Sequence, residues 1–208
     1  AGAVSILPML QVGGMQLFRM EFAERMEKAL PRAAQIGAWI AIIYLALTLI
    51  CAGLYRVAGM TTFDAINHAM TTVATGGYST HDRSVGIFDS AWVDVIATLF
   101  MVLGSLPFLL YLQALRAQPM ALITDSQVRW FFGFLGTAVA AAFAYLHFGL
   151  DRPLLDAMIA TAFNVTSIIT GTGYATEDFV QWGAFAPPLF FLLMFIGGCA
   201  GSTTCGIK

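Results

Sequence analysis

Charge is absent from four long stretches of this chain, and that spacing limits the folds open to it. Arg32 and Arg56 bracket 23 uncharged residues, Asp94 and Arg116 bracket 21, and Arg129 and Asp151 another 21. After Asp178 no acidic or basic residue occurs until Lys208. A helix crosses the hydrocarbon of a bilayer with about 20 apolar residues. Four crossings are therefore expected, over residues 33–55, 93–115, 129–150 and 183–207. Composition agrees: 59% of residues are apolar and 11% charged, with a mean hydropathy of +0.78. Soluble domains carry about 25% charged residues. Residues 1–18 are also uncharged and read as the end of a fifth crossing. Both ends of the chain lie in apolar runs, with no charged leader before the first, so it reads as a fragment of a larger membrane protein. The net charge of -2 points to no nucleic-acid partner.

Between the expected crossings lies a repeat. Thr71-Thr72-Val73-Ala74-Thr75-Gly76-Gly77-Tyr78-Ser79-Thr80-His81-Asp82 matches, 96 residues later, Ser167-Ile168-Ile169-Thr170-Gly171-Thr172-Gly173-Tyr174-Ala175-Thr176-Glu177-Asp178. Gly, Tyr, Thr and Asp coincide at 77/173, 78/174, 80/176 and 82/178. Each copy is a Thr/Gly-rich loop after a short uncharged segment that begins near an acidic residue. The second segment, residues 157–176, is long enough to cross by hydropathy alone. Its end, Thr170-Gly171-Thr172-Gly173-Tyr174, is poor helix material. A re-entrant half-helix and returning loop is the better reading, with half-helices expected at Phe63–Val73 and Ala157–Ile169. The approach to the second loop is longer: Asp64 to Gly77 is 13 residues and Asp156 to Gly173 is 17.

Placing both loops on one side of the membrane sorts the charges. Arg19, Arg25, Lys28, Arg32, Arg116, Arg129 and Lys208, which are 7 of the 10 basic residues, then lie opposite the loops. Lys/Arg excess marks the cytoplasmic side, so the loops face outward. Eight of the 12 acidic residues share the loop side, where they would concentrate cations.

Irregular backbone at membrane depth is tolerated where it is buried in protein or lines a water-filled path. An ion in such a path needs oxygens to replace its lost water, and backbone carbonyls supply dipoles without net charge. Glycine lets the chain turn carbonyls toward an axis through positive φ. The half-helix C-termini carry partial negative charge, which favours a cation. The candidate ion-binding residues are Ala74, Thr75, Gly76 and Gly77 in the first copy and Thr170, Gly171, Thr172 and Gly173 in the second. A further stretch, Gly197-Gly198-Cys199-Ala200-Gly201-Ser202-Thr203-Thr204-Cys205-Gly206, interrupts the last crossing. Two readings stay open for it: close packing of small residues between helices, and a broken helix obstructing the path as a gate.

Other motifs carry less. Cys51, Cys199 and Cys205 lack metal-site spacing and read as buried thiols. His68, His81 and His147 are far apart in sequence, and no Ser/His/Asp grouping points to hydrolysis. Asn164-Val165-Thr166 fits a glycosylation pattern but falls in the expected half-helix. Pro107 reads as a kink. Glu21–Arg32, helical in tendency and ending at Pro31, and residues 116–128, broken by Pro119, read as cytoplasmic connectors.

Val12-Gly13-Gly14-Met15-Gln16-Leu17-Phe18-Arg19, the stretch from Ala74 to Asp82, Gly171-Thr172-Gly173-Tyr174-Ala175-Thr176 and Phe195-Ile196-Gly197-Gly198-Cys199-Ala200-Gly201-Ser202-Thr203 together resemble the membrane subunit of bacterial Trk-type potassium uptake systems. That superfamily also contains the Ktr and plant HKT transporters. The resemblance implies an all-α integral membrane protein of helix–pore-loop–helix units related to potassium channels. Four such units are arranged pseudo-fourfold in the full-length parent. By it, residues 1–19 end unit one, 20–32 connect, 33–116 form unit two with its pore loop at 61–82, 117–128 connect, and 129–208 form a truncated unit three with its pore loop at 153–178. It implies potassium uptake across the bacterial inner membrane, with Gly77 and Gly173 as filter glycines. It implies a gate in the 197–206 loop, made of Gly197, Gly198, Gly201, Ser202, Thr203 and Gly206. It also implies no cofactor, potassium as substrate, a homodimer of the full-length protein, and a nucleotide-binding cytoplasmic regulatory subunit. The basic cytoplasmic face would dock that subunit or contact anionic membrane lipid. With two filter loops of four, the fragment alone is not expected to conduct. The alternatives are a secondary transporter of a small organic substrate, whose repeats are more often inverted, and a membrane enzyme, for which no catalytic set is evident.

Overall fold

The computed structural model describes residues 15–115 and 120–204, with side chains from Gln35 onward. The chain divides into two units, Ala1–Ala41 and Ile42–Lys208. In the first, the described backbone is helical from Met15. It belongs to helix α1, Met15–Val57, which runs on through Pro31, where the connector was expected to end. Proline lacks an N–H and so forfeits one hydrogen bond, but a helix can continue past that loss.

The second unit begins within α1 and is helical, with no strand among the described residues. Its elements are α2 (Thr62–Val73), α3 (Ala91–Gly104), α4 (Phe108–Leu115), the single turn α5 (Ala121–Thr124), α6 (Ser126–Ala144), α7 (Leu154–Ile169) and α8 (Ala186–Leu193). Short 3-10 turns cover Ser84–Ile87 and Phe179–Trp182, and a π-turn, Tyr145–Gly149, ends α6.

Among the described residues, Gln35–Val57 and Ser126–Gly149 are long and apolar enough to cross a membrane. Their apolar side chains remain largely uncovered, including Leu45, Leu49, Ile50, Trp130, Phe132 and Phe134. Lipid is the solvent such surfaces suit. The crossing starts at Ser126, three residues early, because the Asp125 carboxylate caps the backbone N–H groups of Gln127 and Val128 at 2.9 and 3.2 Å. The crossing expected at 93–115 is not one rod. It divides into α3 and α4, which meet at 89°, so Pro107 marks a break rather than a kink. The last crossing is helical only over Ala186–Leu193; its interruption starts at Met194, before the first glycine. The expected connector at 116–128 contains α5, while Arg116 and Pro119 lie outside the described residues.

The short helices α2 and α7 have 12 and 16 residues. At 1.5 Å per residue they span about 18 and 24 Å, short of a roughly 30 Å hydrocarbon core. Each ends in one of the repeated loops. Helix α7 packs between α3 and α6. The apolar interior falls into two clusters. One gathers Tyr55, Ala69, Val73, Ala97, Phe100 and Met101; the other gathers Phe131, Leu135, Leu146, Val165, Trp182 and Phe190. Phe163 of α7 and Tyr174 of the second loop insert into the first cluster, joining the copies through apolar burial.

Candidate functional site: two facing loops and a broken helix

The two loops are built by the same bonds. The amide of Ala74 bonds Met70 O and that of Thr170 bonds Thr166 O; Thr75 bonds Thr72 O and Gly171 bonds Ile168 O. The hydroxyl of Thr71 donates to Tyr78 O at 2.9 Å, as that of Ser167 donates to Tyr174 O at 2.6 Å. Thus positions 71 and 167 fold each loop back onto its own helix. Thr75, Gly77, Gly171 and Gly173 all have positive φ, at 49°, 67°, 69° and 80°. This left-handed backbone favours glycine and is strained at Thr75.

The structure brings the two sets of candidate residues together. A Cβ placed on Gly77 would collide with the carbonyl oxygen of Thr172. Only glycine permits that approach. The loops are also fastened by Tyr174, which is 2% exposed. Its hydroxyl meets the hydroxyl of Thr71, donates to His68 O at 3.2 Å and lies 3.4 Å from Tyr78 O and from the Thr72 hydroxyl. Tyr55 of α1 reaches the same Thr72 at 2.9 Å. The matching tyrosine, Tyr78, is 79% exposed. A second seam joins Gly86 N–H to Ala175 O at 3.2 Å and Ala175 N–H to the Ser84 hydroxyl at 3.3 Å.

Behind the first loop sits a polar cluster. Asp64, at the N-terminal end of α2 and outside the crossing helices, accepts from Thr61 and Thr80 hydroxyls at 2.6 Å each and lies 3.3 Å from His81 Nε2. Those hydroxyl bonds, with help from His81, hold its carboxyl below the usual carboxylate range. His68 Nδ1 is 2.8 Å from Asp64 O and its Nε2 is 2.9 Å from the Ser79 hydroxyl. A carbonyl only accepts, so Nδ1 carries the proton and, in the neutral ring, Nε2 accepts from Ser79. His68 and His81 therefore converge on Asp64 despite their sequence separation. Ser79, His68 and Asp64 meet in the order of a hydrolytic triad, a grouping that was not legible in the sequence. Here, however, the histidine faces a backbone carbonyl, not a carboxylate, and is fully buried, so nothing orients it as a base toward a substrate. In the second copy Asn164 holds the equivalent place. It is buried and donates to Ala160 O and the Thr176 hydroxyl, each at 2.9 Å, which makes it a structural amide and no glycan acceptor. Arg152 and Glu177 close the base of that loop with two bonds of 2.7 and 3.0 Å.

The interruption of the last crossing packs against the break between α3 and α4. Cys199 N–H bonds Ser105 O at 3.1 Å, Phe108 N–H bonds Gly201 O at 3.1 Å, and Thr203 N–H bonds Gly104 O at 3.1 Å. The Thr203 hydroxyl reaches Gly104 O at 2.9 Å, Val73 O at 3.0 Å and the Thr75 hydroxyl at 3.4 Å. A Cβ on Gly104 would stand 2.7 Å from Val73 O, so that glycine allows the two helix ends to meet. Gly197, Gly198, Gly201, Ser202 and Thr203 all belong to this packed stretch; Gly206 and Cys205 lie outside the described residues. The break at Gly104-Ser105-Leu106-Pro107 is a site element that motif reading missed. Its signal was present, since the 96-residue offset of the loops lays Gly104–Pro107 over Ala200–Thr203. Among the described residues no cluster of three or more His, Cys, Asp or Glu is placed to hold a metal.

Apolar crossing helices, two short helices ending in abutting glycine-bearing loops, and broken partner helices define a membrane protein of repeated helix–loop–helix units. The comparisons narrow this class. A family model described as TrkH, cation transport protein, matches residues 2–208, and the chain belongs to that family. It is 40% identical over 206 residues to the Trk system potassium uptake protein TrkI of Halomonas elongata, covering 99% of this chain and 42% of the relative. It is 38% identical over 210 residues to the Trk system potassium uptake protein TrkH of Escherichia coli K12, covering 99% and 44%. The crystal structure of the potassium transporter TrkH from Vibrio parahaemolyticus superposes with a TM-score of 0.81 at 36% identity, covering 98% of this chain and 42% of that one. The chain thus spans less than half the length of the relatives it matches.

Proposed function

We propose that this chain supplies two of the filter loops, and the gating loop, of a potassium uptake pore in the bacterial inner membrane. The observation that carries the reading is the approach of Gly77 to the Thr172 carbonyl. It sets two glycine-bearing loops side by side at the C-terminal ends of two short helices. Carbonyls there serve a dehydrated cation without trapping it, and the helix ends favour positive charge. Ala74–Gly77 and Thr170–Gly173 are the ion-lining residues in this reading. The gate in this reading is the loop of residues 197–206. The relatives named as potassium uptake proteins support potassium as the cargo.

The loops face outward and the basic residues face the cytoplasm. In this reading a nucleotide-binding regulatory subunit docks on the cytoplasmic side. The intact parent assembles as a homodimer. The test is flux in liposomes: the full-length protein passes potassium well ahead of sodium, and the 208-residue chain passes neither, since two loops cannot surround an ion. Equal passage of both ions by the full-length protein would reject the filter reading.

A further inference from the structure

We propose that Thr203 couples the gating loop to the first filter loop, so that displacing the loop alters ion selection as well as ion flow. The inference rests on the filter and gate reading above and adds a specific residue between them.

The last four carbonyls of a helix have no partner within it. At the end of α2, Met70 O accepts from Ala74, Thr71 O from Gly76 and Thr72 O from Thr75. The fourth, Val73 O, accepts from the Thr203 hydroxyl. At the end of α3, Met101 O and Val102 O accept from Ser105, Leu103 O from Leu106, and Gly104 O from the Thr203 amide. One residue of the interruption therefore completes both helices. Thr203 has a single hydroxyl proton within reach of two carbonyls. Gly104 O already has the Thr203 amide, so the arrangement that leaves no carbonyl unmade sends the hydroxyl proton to Val73 O. That carbonyl immediately precedes Ala74, the first filter residue, and the same hydroxyl adjoins Thr75, whose backbone is in the left-handed region.

Two consequences follow if the loop moves aside. Val73 O loses its proton donor and becomes available to water or a cation, which makes the path below the filter more negative. Thr75 loses its neighbour and its strained backbone is freer to relax. Flow and selectivity then change together, through one hydroxyl.

Thr203→Val removes the hydroxyl and keeps the shape; Thr203→Ser keeps the hydroxyl. Both are made in the full-length protein and read in liposomes as potassium flux and as the potassium-to-sodium ratio. The expected result for Thr203→Val is a rise in flux and a fall in the ratio, each about fivefold, the equilibrium factor that one ordinary hydrogen bond is worth. Thr203→Ser restores both toward the parent values. Raised flux with an unchanged ratio would reduce Thr203 to a latch on the loop and overturn the coupling, as would a Val variant matching the parent in both readouts. Gly77→Ser, read in parallel, separates the failures: if it lowers the ratio while Thr203→Val does not, the filter stands and only the coupling falls. Should Thr203→Val fail to assemble, a Thr75→Cys/Thr203→Cys pair in a background without other cysteines replaces it. Oxidation that lowers flux and raises the potassium-to-sodium ratio, both reversed by reductant, supports the coupling; complete cross-linking that leaves the ratio unchanged rejects it.

Discussion

Gly77 and Gly173 hold the same place in the repeat but not the same surroundings. Both have left-handed φ, which costs a substituted residue about 1–3 kcal/mol. Only Gly77 also faces a backbone carbonyl within contact distance, that of Thr172; a Cβ on Gly173 would meet nothing within 4 Å in this chain. Gly77→Ser must push the two loops apart and is expected to lower potassium over sodium discrimination in the full-length protein. Flux of the two ions, compared at matched expression, checks this. Unchanged discrimination would show that the contact at Gly77 does not set the spacing of the loops.

At the scale of elements, α2 is held at both ends. Its C-terminal carbonyls are completed by the loop and by Thr203, and its N-terminal end by Asp64 with Thr61 and Thr80. The Asp64 carboxyl is held below its ordinary value of about 3.9. Its contribution to stability is therefore present above that value and is lost as pH falls through the lower, folded-state value. Thermal unfolding of the full-length protein in detergent should weaken below about pH 4, and Asp64→Asn should remove that part of the slope. An Asn variant with the parent's acid sensitivity would clear Asp64 of the role. Much of this was legible in the sequence. The half-helix expected from Phe63 to Val73 is observed from Thr62 to Val73, and the one expected from Ala157 starts a turn earlier, at Leu154. An uncharged segment near an acidic residue and the following Thr/Gly run marked both. The 89° break at Gly104–Pro107 was not legible as such, because a proline in an apolar run is compatible with a mild kink. What accompanies the break is a pair of partners from far along the chain, Thr203 and Cys199, whose amides complete the carbonyls of Gly104 and Ser105. Likewise the meeting of Ser79, His68 and Asp64 depends on how the loop returns over α2, which no local pattern encodes.

At the scale of the whole molecule, the copies are joined by Tyr174 set into the side of α2. Its hydroxyl is buried among Thr71, Thr72 and two backbone carbonyls. Tyr174→Phe should lower the unfolding free energy of the full-length protein by about 1 kcal/mol, an ordinary hydrogen bond's worth, and loosen discrimination between the ions. Denaturant unfolding alongside flux measures both, and a Phe variant as stable as the parent would show the hydroxyl to be idle.

The wedging of Tyr174 into the helix of the other copy gives the repeat a direction. The later copy inserts its ring into the earlier copy's helix, and nothing passes the other way through that position. Contacts of this head-to-tail kind close into rings when the turn between copies allows it. Each further copy in such a succession would bring one tyrosine and accept another, so the order of units around the axis follows the order of units along the polypeptide. In any such succession the handedness would be written into which face of a half-helix carries the threonines, and a ring of fused units would have only one sense in which to shut.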